Sequence, residues 1–525
     1  MYDVAIVGYG PAGAVAAALL GQAGLKVLVC DRLAGVYEIP RAIALDHEVL
    51  RLFQQLGLID AVLPFTEPFT NSEWFGADGQ LIRRMTMVAP PYPQGYTPSI
   101  VFSQPPVERL LRQRVAQWPN VTVALGTELT ALAQDEHSVS LSLRAADGTA
   151  STVQARWAIG CDGGGSAVRG MVGITLDDLG FDEPWLVVDV IVNDRGLAKL
   201  PTTSVQFCEP ARPCTMVIGP GRHRRWEISL KPGEDPQQAA TPAGTWALLS
   251  RWITPDDGAL WRQSSYRFHA LVARQWRAGR VFIAGDAAHM QPPFLGQGMC
   301  QGLRDVTNLA WKLAAVVHDE VRGPAAEALL DSYGSERQAH VRELTTRLKA
   351  IGAVICERDL DRARARDARL LADCGGVVPD TPRQDVLPAL STGLLSAQTS
   401  SGRGNLFAQA RLADGALMDP GLGYGWRLVL DPSLAARAST PGLRVLALAD
   451  ASTREAEGVI AAWMQRHACH AALLRPDHYV YGTATTDAGI DALLAEYRSA
   501  LGQEATAPDA FHPTRSLPCN DATSP

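Results

Sequence analysis

The chain has 525 residues, 47% of them hydrophobic and 20% charged, with a formal net charge of −7 and a pI near 5.9. That balance excludes a disordered chain, allows a large core and, with its basic residues scattered, argues against a nucleic-acid surface. Length alone predicts about three or four domains. No apolar run reaches the roughly 18 residues that span a bilayer, so no membrane segment is expected; 309–317, which contains Lys312, is expected to be a helix core. The opening residues lack a signal-sequence pattern, so none is expected. Nine cysteines, odd in number and without a CxxC pair, fit reduced thiols in a cytoplasmic protein. His467, Cys469 and His470 lie close together but have no second ligand pair at matching spacing, so no metal is expected.

In chain order, residues 3–7 predict a short buried strand, followed by Gly8-Tyr9-Gly10-Pro11-Ala12-Gly13. An alanine-rich helix over 14–22, stopped by Gly24, and a strand over 26–30 ending at Asp31 complete a strand–turn–helix–strand unit. Prolines clustered between 90 and 98 predict a loop or lid. Alternation at 121–123 and 139–143 predicts antiparallel strands ahead of the Asp147-Gly148 turn. The β-rich stretch 181–268 predicts a second, sheet-based domain. Apolar positions Leu303, Val306, Ala310, Leu313 and Val317 predict a long amphipathic helix, continued through Arg347. From 378 onward, short strands at 426–430 and 443–448 indicate a separate small α/β domain, with a loosely ordered tail.

Three glycine-rich sites carry the chemistry. In Gly8-x-Gly10-x-x-Gly13 the first glycine permits a tight turn, the second admits a pyrophosphate, and the third lets helix and strand pack closely. Asp31, eighteen residues beyond Gly13, suits a ribose. NAD and FAD both remain open at this point. The strand 280–284 then runs into Gly285-Asp286-Ala287-Ala288-His289, followed by Pro292-Pro293 and by Gly296-Gln297-Gly298 at a helix start. Asp286 suits a ribityl hydroxyl, and the helix start at Gly298-Met299 suits an electron-rich ring; FAD needs such a distant element and NAD does not. The third site, Asp162-Gly163-Gly164-Gly165-Ser166-Ala167-Val168-Arg169, would by itself be an ordinary glycine turn.

In this order and spacing, the GxGxxG start, the DGxxSxVR segment and the GDAAH…PP…GQG segment resemble the group A flavoprotein aromatic hydroxylases, over roughly residues 3 to 320. Within that group the chain is most similar to the 3-(3-hydroxyphenyl)propionate hydroxylases. That likeness rests on Pro40-Arg41-Ala42, Phe181-Asp182-Glu183-Pro184-Trp185, Phe294-x-Gly296-Gln297-Gly298-Met299-Cys300 and Arg304-Asp305-x-x-Asn308. Polyketide and resorcinol-type hydroxylases share parts of the pattern.

The resemblance implies an α/β fold: a Rossmann-like FAD-binding domain (1–75, 100–180 and 270–375) with an inserted β-sheet substrate domain (76–99 and 181–269). A C-terminal thioredoxin-like domain (376–501) and a tail (502–525) follow. That C-terminal part resembles the domain appended to phenol hydroxylases, most clearly at Arg475-Pro476-Asp477-x-Tyr479-Val480; without a CxxC its expected role is structural or dimer-supporting.

The resemblance also implies site roles. Gly8, Gly10, Pro11, Ala12 and Gly13 would cradle FAD, with Asp31 and Arg32 at the adenosine, although the family more often has Glu at the Asp31 position. Arg41 would lie near the flavin and the pyrophosphate, and Gln104 and Asp162 would contact FAD. Gly285, Asp286, Gly296, Gly298 and Met299 complete the cofactor set, and the Pro293 carbonyl would lie near the reacting carbon. Arg41, Pro293 and His269 are the candidate catalytic residues, although packing on the sheet accounts equally well for His269.

NADH or NADPH would reduce the flavin, which would then form a 4a-hydroperoxide with O2 and hydroxylate a small phenolic substrate ortho to its hydroxyl. A group that takes the phenol proton is expected. A substrate carboxylate would need an arginine, for which the run Arg222, Arg224 and Arg225 is one source and Tyr96 a further pocket candidate. A homodimer is expected. A multi-ring polyketide or resorcinol-type phenol is the alternative substrate. A flavin-dependent halogenase, whose WxWxIP motif is missing, and a non-catalytic FAD-binding protein are the rival classes.

Overall fold

The computed structural model describes residues 1–503 except 438–439, 441–442 and 450–452; most of the expected tail, 504–525, lies outside the described residues. Four strands form a parallel core in the order Val121–Leu125, Val27–Asp31, Tyr2–Val7, Ala150–Gly160, and Val281–Ile283 extends it, also parallel. The hydrophobic runs of the inner strands 4–7, 27–30 and 158–160 are buried on both faces, as parallel strands require, while the edge strand Val121–Leu125 leaves Val123 and Leu125 exposed. The helix Pro11–Gln22, buried along almost its whole alanine-rich length, packs between this sheet and the long helix Gly298–Val317.

Two sequence expectations are corrected here. Val121–Leu125 is not an antiparallel neighbour of Val139–Ala145: it pairs in parallel with Val27–Asp31, while Val139–Ala145 runs antiparallel to Ala150–Gly160. A two-residue alternation marks a strand but says nothing about its partner. The long helix also does not continue to Arg347. It ends at Val317, Asp319 adopts a left-handed φ of 58°, and a second helix runs Gly323–Ile355.

A second sheet of nine strands stands beside the first. Its central strands, Gly258–Ala273, Leu176–Val192, His223–Ser229, Cys214–Ile218 and Ser204–Phe207, are joined by Ser72–Phe75, Leu81–Thr86 and Asp380–Pro382. It therefore draws on residues outside the 76–99 and 181–269 read from sequence. Alternation gives it two faces. Leu186, Val188, Trp226 and Ile228 build an apolar layer with Leu249 and Ile253 on one side. On the other side Val217 packs on Ile43 and Ala44 of the first body, and Arg225 donates to the carbonyls of Pro40 and Arg41.

The C-terminal part holds a four-stranded sheet in the order Arg444–Ala447, Arg427–Leu430, Ala471–Leu474, Val480–Ala484, with helices Val459–Arg466 and Asp487–Ala500. Two buried ionic clusters attach it. Arg475 bonds Glu336 (2.7 Å) and Asp477 (2.7 Å), and Glu336 also holds Lys312 (2.8 Å). Asp419 takes Arg427 (3.0 Å) and Arg51, whose guanidinium also donates to Gln94 (2.7 Å). The proline-rich segment is thereby pinned rather than loose: Tyr96 donates to Gln54 (2.5 Å), a partner on the helix His47–Gln55. No helix among the described residues is long and apolar enough to cross a membrane.

Candidate active site

The three glycine sites and Asp31 all leave the C-terminal ends of adjacent parallel strands, where Val7 is in register with Cys30 and Gly160, and Gly160 with Ile283. Open α/β sheets bind ligands at this edge. Gly8 has φ +99° and a Cβ there would sit 2.3 Å from the Cys161 carbonyl oxygen; a Cβ on Gly13 would sit 1.9 Å from that of Gly8. A Cβ on Gly10 would meet nothing within 4 Å, so the middle glycine borders open space. Gly10 caps the helix Pro11–Gln22 without any side-chain acceptor, leaving its first N–H groups free. Asp31 accepts from the N–H of Tyr9 (2.6 Å) and Leu33 (2.7 Å), which fixes the carboxylate against the turn. Beside it a groove runs past Arg32, Gly126, Glu128 and Arg144.

Asp305, on the long helix, organises the second site. Its carboxylate accepts from the Gly285 N–H (2.9 Å) and from Arg337 (2.8 Å), and pairs with His289 (2.9 Å). Gly302 lets that helix approach: its Cβ would lie 3.1 Å from the Gly285 Cα. Arg169 ties the second and third sites together by donating to the carbonyls of Ala287 (2.9 Å) and Gly164 (2.8 Å). Asp286 has an exposed side chain, yet burial within the surrounding protein raises its carboxyl pKa, with His289 and Arg41 offsetting part of the rise. An exposed carboxylate with a raised pKa suits a residue at the edge of a ligand site.

At the third edge of the site the chain is strained. Leu295 has φ 69° and Gly296 φ 64°, with the Gly296 N–H bonded to the Pro293 carbonyl (2.8 Å). The helix start at Gly298 and Met299 has no side-chain cap, and a Cβ on Gly298 would meet nothing within 4 Å. Arg304 anchors this start through Asp46 (2.5 Å), Glu48 (2.5 Å) and Gln297 (3.2 Å). Two uncapped helix starts and open space at Gly10 and Gly298 fit a long, doubly anionic dinucleotide, and carboxylates at Asp31 and Asp286 suit its sugar hydroxyls. These residues fit FAD.

Other expected site residues have structural partners. Gln104 is buried, and its side-chain oxygen accepts from the backbone N–H of Arg41 (2.9 Å) and Ala42 (2.7 Å); it shapes the segment that carries Arg41. The Arg41 guanidinium is exposed and lies 4.8 Å from the Tyr37 ring centre. Asp162 accepts from Ser166 (2.5 Å) and the Val168 N–H (3.0 Å), capping its own loop. His269 lies opposite Asp182 across the second sheet, 3.6 Å from its carboxylate. Arg222 pairs with exposed Asp194, Arg224 closes the turn through backbone carbonyls, and Arg225 is held by Asp189. His467 meets Ser401 and His470 meets Asp431.

Sequence reasoning missed Asp305, Arg169, Asp189 and Glu227 as site-building residues. Burial opposes ionisation of Asp189, but Arg225 and His223 overcome it and hold the carboxyl down to about 2. Burial pushes the Glu227 carboxyl up to about 7 against the pull of Arg225, with Asp189 adding to the rise. Only the period-two alternation of 223–229, with His223, Arg225, Glu227 and Ser229 on one face, hinted at Glu227.

A family model described as "FAD binding domain" matches residues 1–348, which defines the class as an FAD-binding flavoprotein. Two relatives are similar over nearly the whole chain. A Rhodococcus jostii (strain RHA1) protein named "Probable NADH-specific resorcinol 4-hydroxylase" is 36% identical, covering 97% of each chain. The "3-(3-hydroxy-phenyl)propionate/3-hydroxycinnamic acid hydroxylase" of Burkholderia cenocepacia (strain HI2424) is 34% identical, covering 93% of this chain and 94% of its own. The solved structure of the flavin-dependent monooxygenase PieE shares the fold, with a TM-score of 0.77 at 23% identity, covering 96% of this chain and 99% of that one. This chain belongs to the FAD-dependent aromatic hydroxylase family, and FAD is its cofactor.

Proposed function

We propose that the enzyme hydroxylates a single-ring phenol bearing a substituent meta to its hydroxyl, at a ring position ortho to the hydroxyl, using O2 and NADH. Resorcinol and 3-(3-hydroxyphenyl)propionate, named in the two relatives, are both phenols of this kind, and one of those names specifies NADH. The observation that carries the reading is the near face of the second sheet, where hydrogen-bonding groups adjoin a buried aromatic cluster. Along one rung Val187, Glu227, Thr215, Gln206 and Trp74 are successive partners, and one step further along the sheet Trp185 lies 6.1 Å, edge to face, from Phe294 beside Pro293. Apolar walls with a few hydrogen-bonding groups suit one aromatic ring.

Gly8, Gly10, Pro11, Ala12 and Gly13 would hold the cofactor diphosphate against the first helix start, with Asp31 and Arg32 at the adenosine. Gly285 and Asp286 would meet the ribityl chain, and Gly296, Gly298 and Met299 the ring, with the Pro293 carbonyl and Arg41 on the substrate side. Gln104 acts through the backbone of Arg41 and Ala42, and Asp162 through its loop. When bound, FAD supplies the redox chemistry, taking a hydride from the nicotinamide and activating O2. Phe294 and Trp185 exclude water from the site.

The carboxylate-bearing substrate requires a free cation. Arg225 is engaged, but Arg83, the partner of Trp74 in the adjoining strand, lies over its indole (5.1 Å) with no hydrogen bond or ion pair to a described residue. A resorcinol-type substrate needs no such cation, and the engagement of Arg222, Arg224 and Arg225 favours that second reading.

The C-terminal sheet and its helices are proposed to form a thioredoxin-like domain that stabilises a cytoplasmic homodimer. The experiment is a panel of resorcinol, 3-(3-hydroxyphenyl)propionate, simple phenols and multi-ring aromatics, scored by nicotinamide oxidation and product identification. Single-ring meta-substituted phenols are expected to stimulate turnover, with product; a response confined to multi-ring compounds would overturn the reading.

A further inference from the structure

We propose that Glu227 is the residue that accepts the hydroxyl proton of the phenolic substrate. The inference rests on the hydroxylase reading above and deepens it. Three observations of position carry it. Glu227 is only 9% exposed, and its carboxylate makes no hydrogen bond or ion pair to any described residue. A carboxylate on a side chain this buried, with no protein partner and its oxygens still accessible, calls for an explanation, because desolvation is costly and the open oxygens can meet a ligand.

Its direction follows from the sheet. Trp226 and Ile228 enter the apolar layer on the far side, so Glu227 and Arg225 project to the near side. There Arg225 reaches the carbonyl oxygens of Pro40 and Arg41, two residues to one side of Glu227 along the strand. Two residues to the other side, Ser229 is in register with Trp185, the neighbour of Phe294. Glu227 thus stands about 7 Å along the sheet from each of these rungs, between the segment of Arg41 and the loop of Pro293.

Its electrostatic surroundings suit the task. The charged groups facing it are Arg225 on its own strand, Asp189 on Leu176–Val192 and Arg262 on Gly258–Ala273. Both arginines are committed: Arg225 to Asp189, and Arg262 to the Pro40 carbonyl (2.5 Å). Asp189 takes that charge and leaves Glu227 without a neutralising partner. With its carboxyl near 7, Glu227 is poised to exchange a proton around neutral pH.

In the step itself the phenol O–H bond breaks and a new O–H bond forms on a Glu227 oxygen. The electron pair stays on the phenolate oxygen and enriches the ortho carbon for attack on the activated oxygen. The proton returns to water after product leaves. Beside Glu227, the Thr215 hydroxyl donates to the Gln206 side-chain oxygen (2.6 Å), which leaves the Gln206 amide nitrogen to donate to the phenolate.

The test uses the holoenzyme with resorcinol and with 3-(3-hydroxyphenyl)propionate. Glu227→Gln is expected to retain flavin but to lose hydroxylated product by about 100-fold or more at pH 7, losing the acid limb of the pH–rate profile with it. KM for the phenol should stay within about threefold of wild type while kcat carries the loss, as for a group that moves a proton rather than binds the ring. Product formation within about threefold of wild type, or an acid limb that the variant keeps unchanged, would overturn the assignment. If the glutamine variant fails to retain flavin, Glu227→Asp decides: the acid limb should move to lower pH, and an unmoved limb overturns the proposal. A wild-type enzyme that hydroxylates neither phenol would sink the hydroxylase reading itself, a different result from an active wild type with an indifferent variant.

Discussion

Glu227 and Asp189 lie on neighbouring strands facing the same side of the second sheet, and burial has opposite outcomes for them. Asp189 keeps its charge because Arg225 and His223 bond it directly; Glu227 has no such bond. Linkage turns this into stability. The depressed Asp189 pKa contributes stability above its unfolded value near 3.8, and that stability is lost as the pH falls towards about 2. The raised Glu227 pKa works the other way: stability is full below its unfolded value near 4.5 and is lost as the pH rises through about 7. Glu227→Gln should therefore unfold at higher temperature than wild type at pH 8, by on the order of 1–3 kcal/mol, with little difference at pH 4.5. Thermal unfolding at the two pH values checks this; a variant less stable than wild type at pH 8 would mean that the carboxylate is a structural partner. Few of these relations were legible in the chain. The glycines at 8, 10 and 13 announce themselves by type and spacing, whereas a lone Glu in a strand looks the same whether it faces water or a ligand site.

At the scale of elements, the site is assembled by helices that reach back to loops. The helix Gly298–Val317 gives its N-terminus to the site, and one turn and two turns later sends Gln301, Arg304 and Asp305 to fix the loops around it. Asp305→Asn should keep the shape but strip the charge that Arg337 and His289 meet. Removing one partner from a buried pair costs about 3–5 kcal/mol, so the unfolding midpoint should fall, and the flavin-to-protein ratio with it, because the Gly285–Asp286 turn loses its anchor. Full flavin occupancy with an unchanged midpoint would show that the turn holds itself. The same scale explains the corrected elements. Helical spacing at Leu303 through Val317 correctly marked a helix, but its end depended on Asp319 turning left-handed, and Asp carries no strong signal for that.

For the whole molecule, the C-terminal part is bound by charge rather than by a loose tether. Glu336 stays ionised because Arg475 and Lys312 outweigh its burial and hold it at about 2. Deleting 376–525 would remove Arg475 and Asp477 and leave buried Lys312 and Glu336 without them. The truncated 1–375 chain is accordingly expected to be recovered aggregated or without flavin; a soluble, yellow fragment would show that the first two bodies fold alone. Sequence by itself determined the cofactor and singled out the glycines at 8, 10 and 13, because a tight turn, a close approach to phosphate and a helix start each demand glycine at a stated place. It also marked the family, through segments that keep order and spacing along the chain. Only the tertiary structure decided which strand lies beside which, which arginines are free, and that Glu227 is buried without a partner. Those properties depend on contacts between residues far apart in the chain, and local patterning does not encode them.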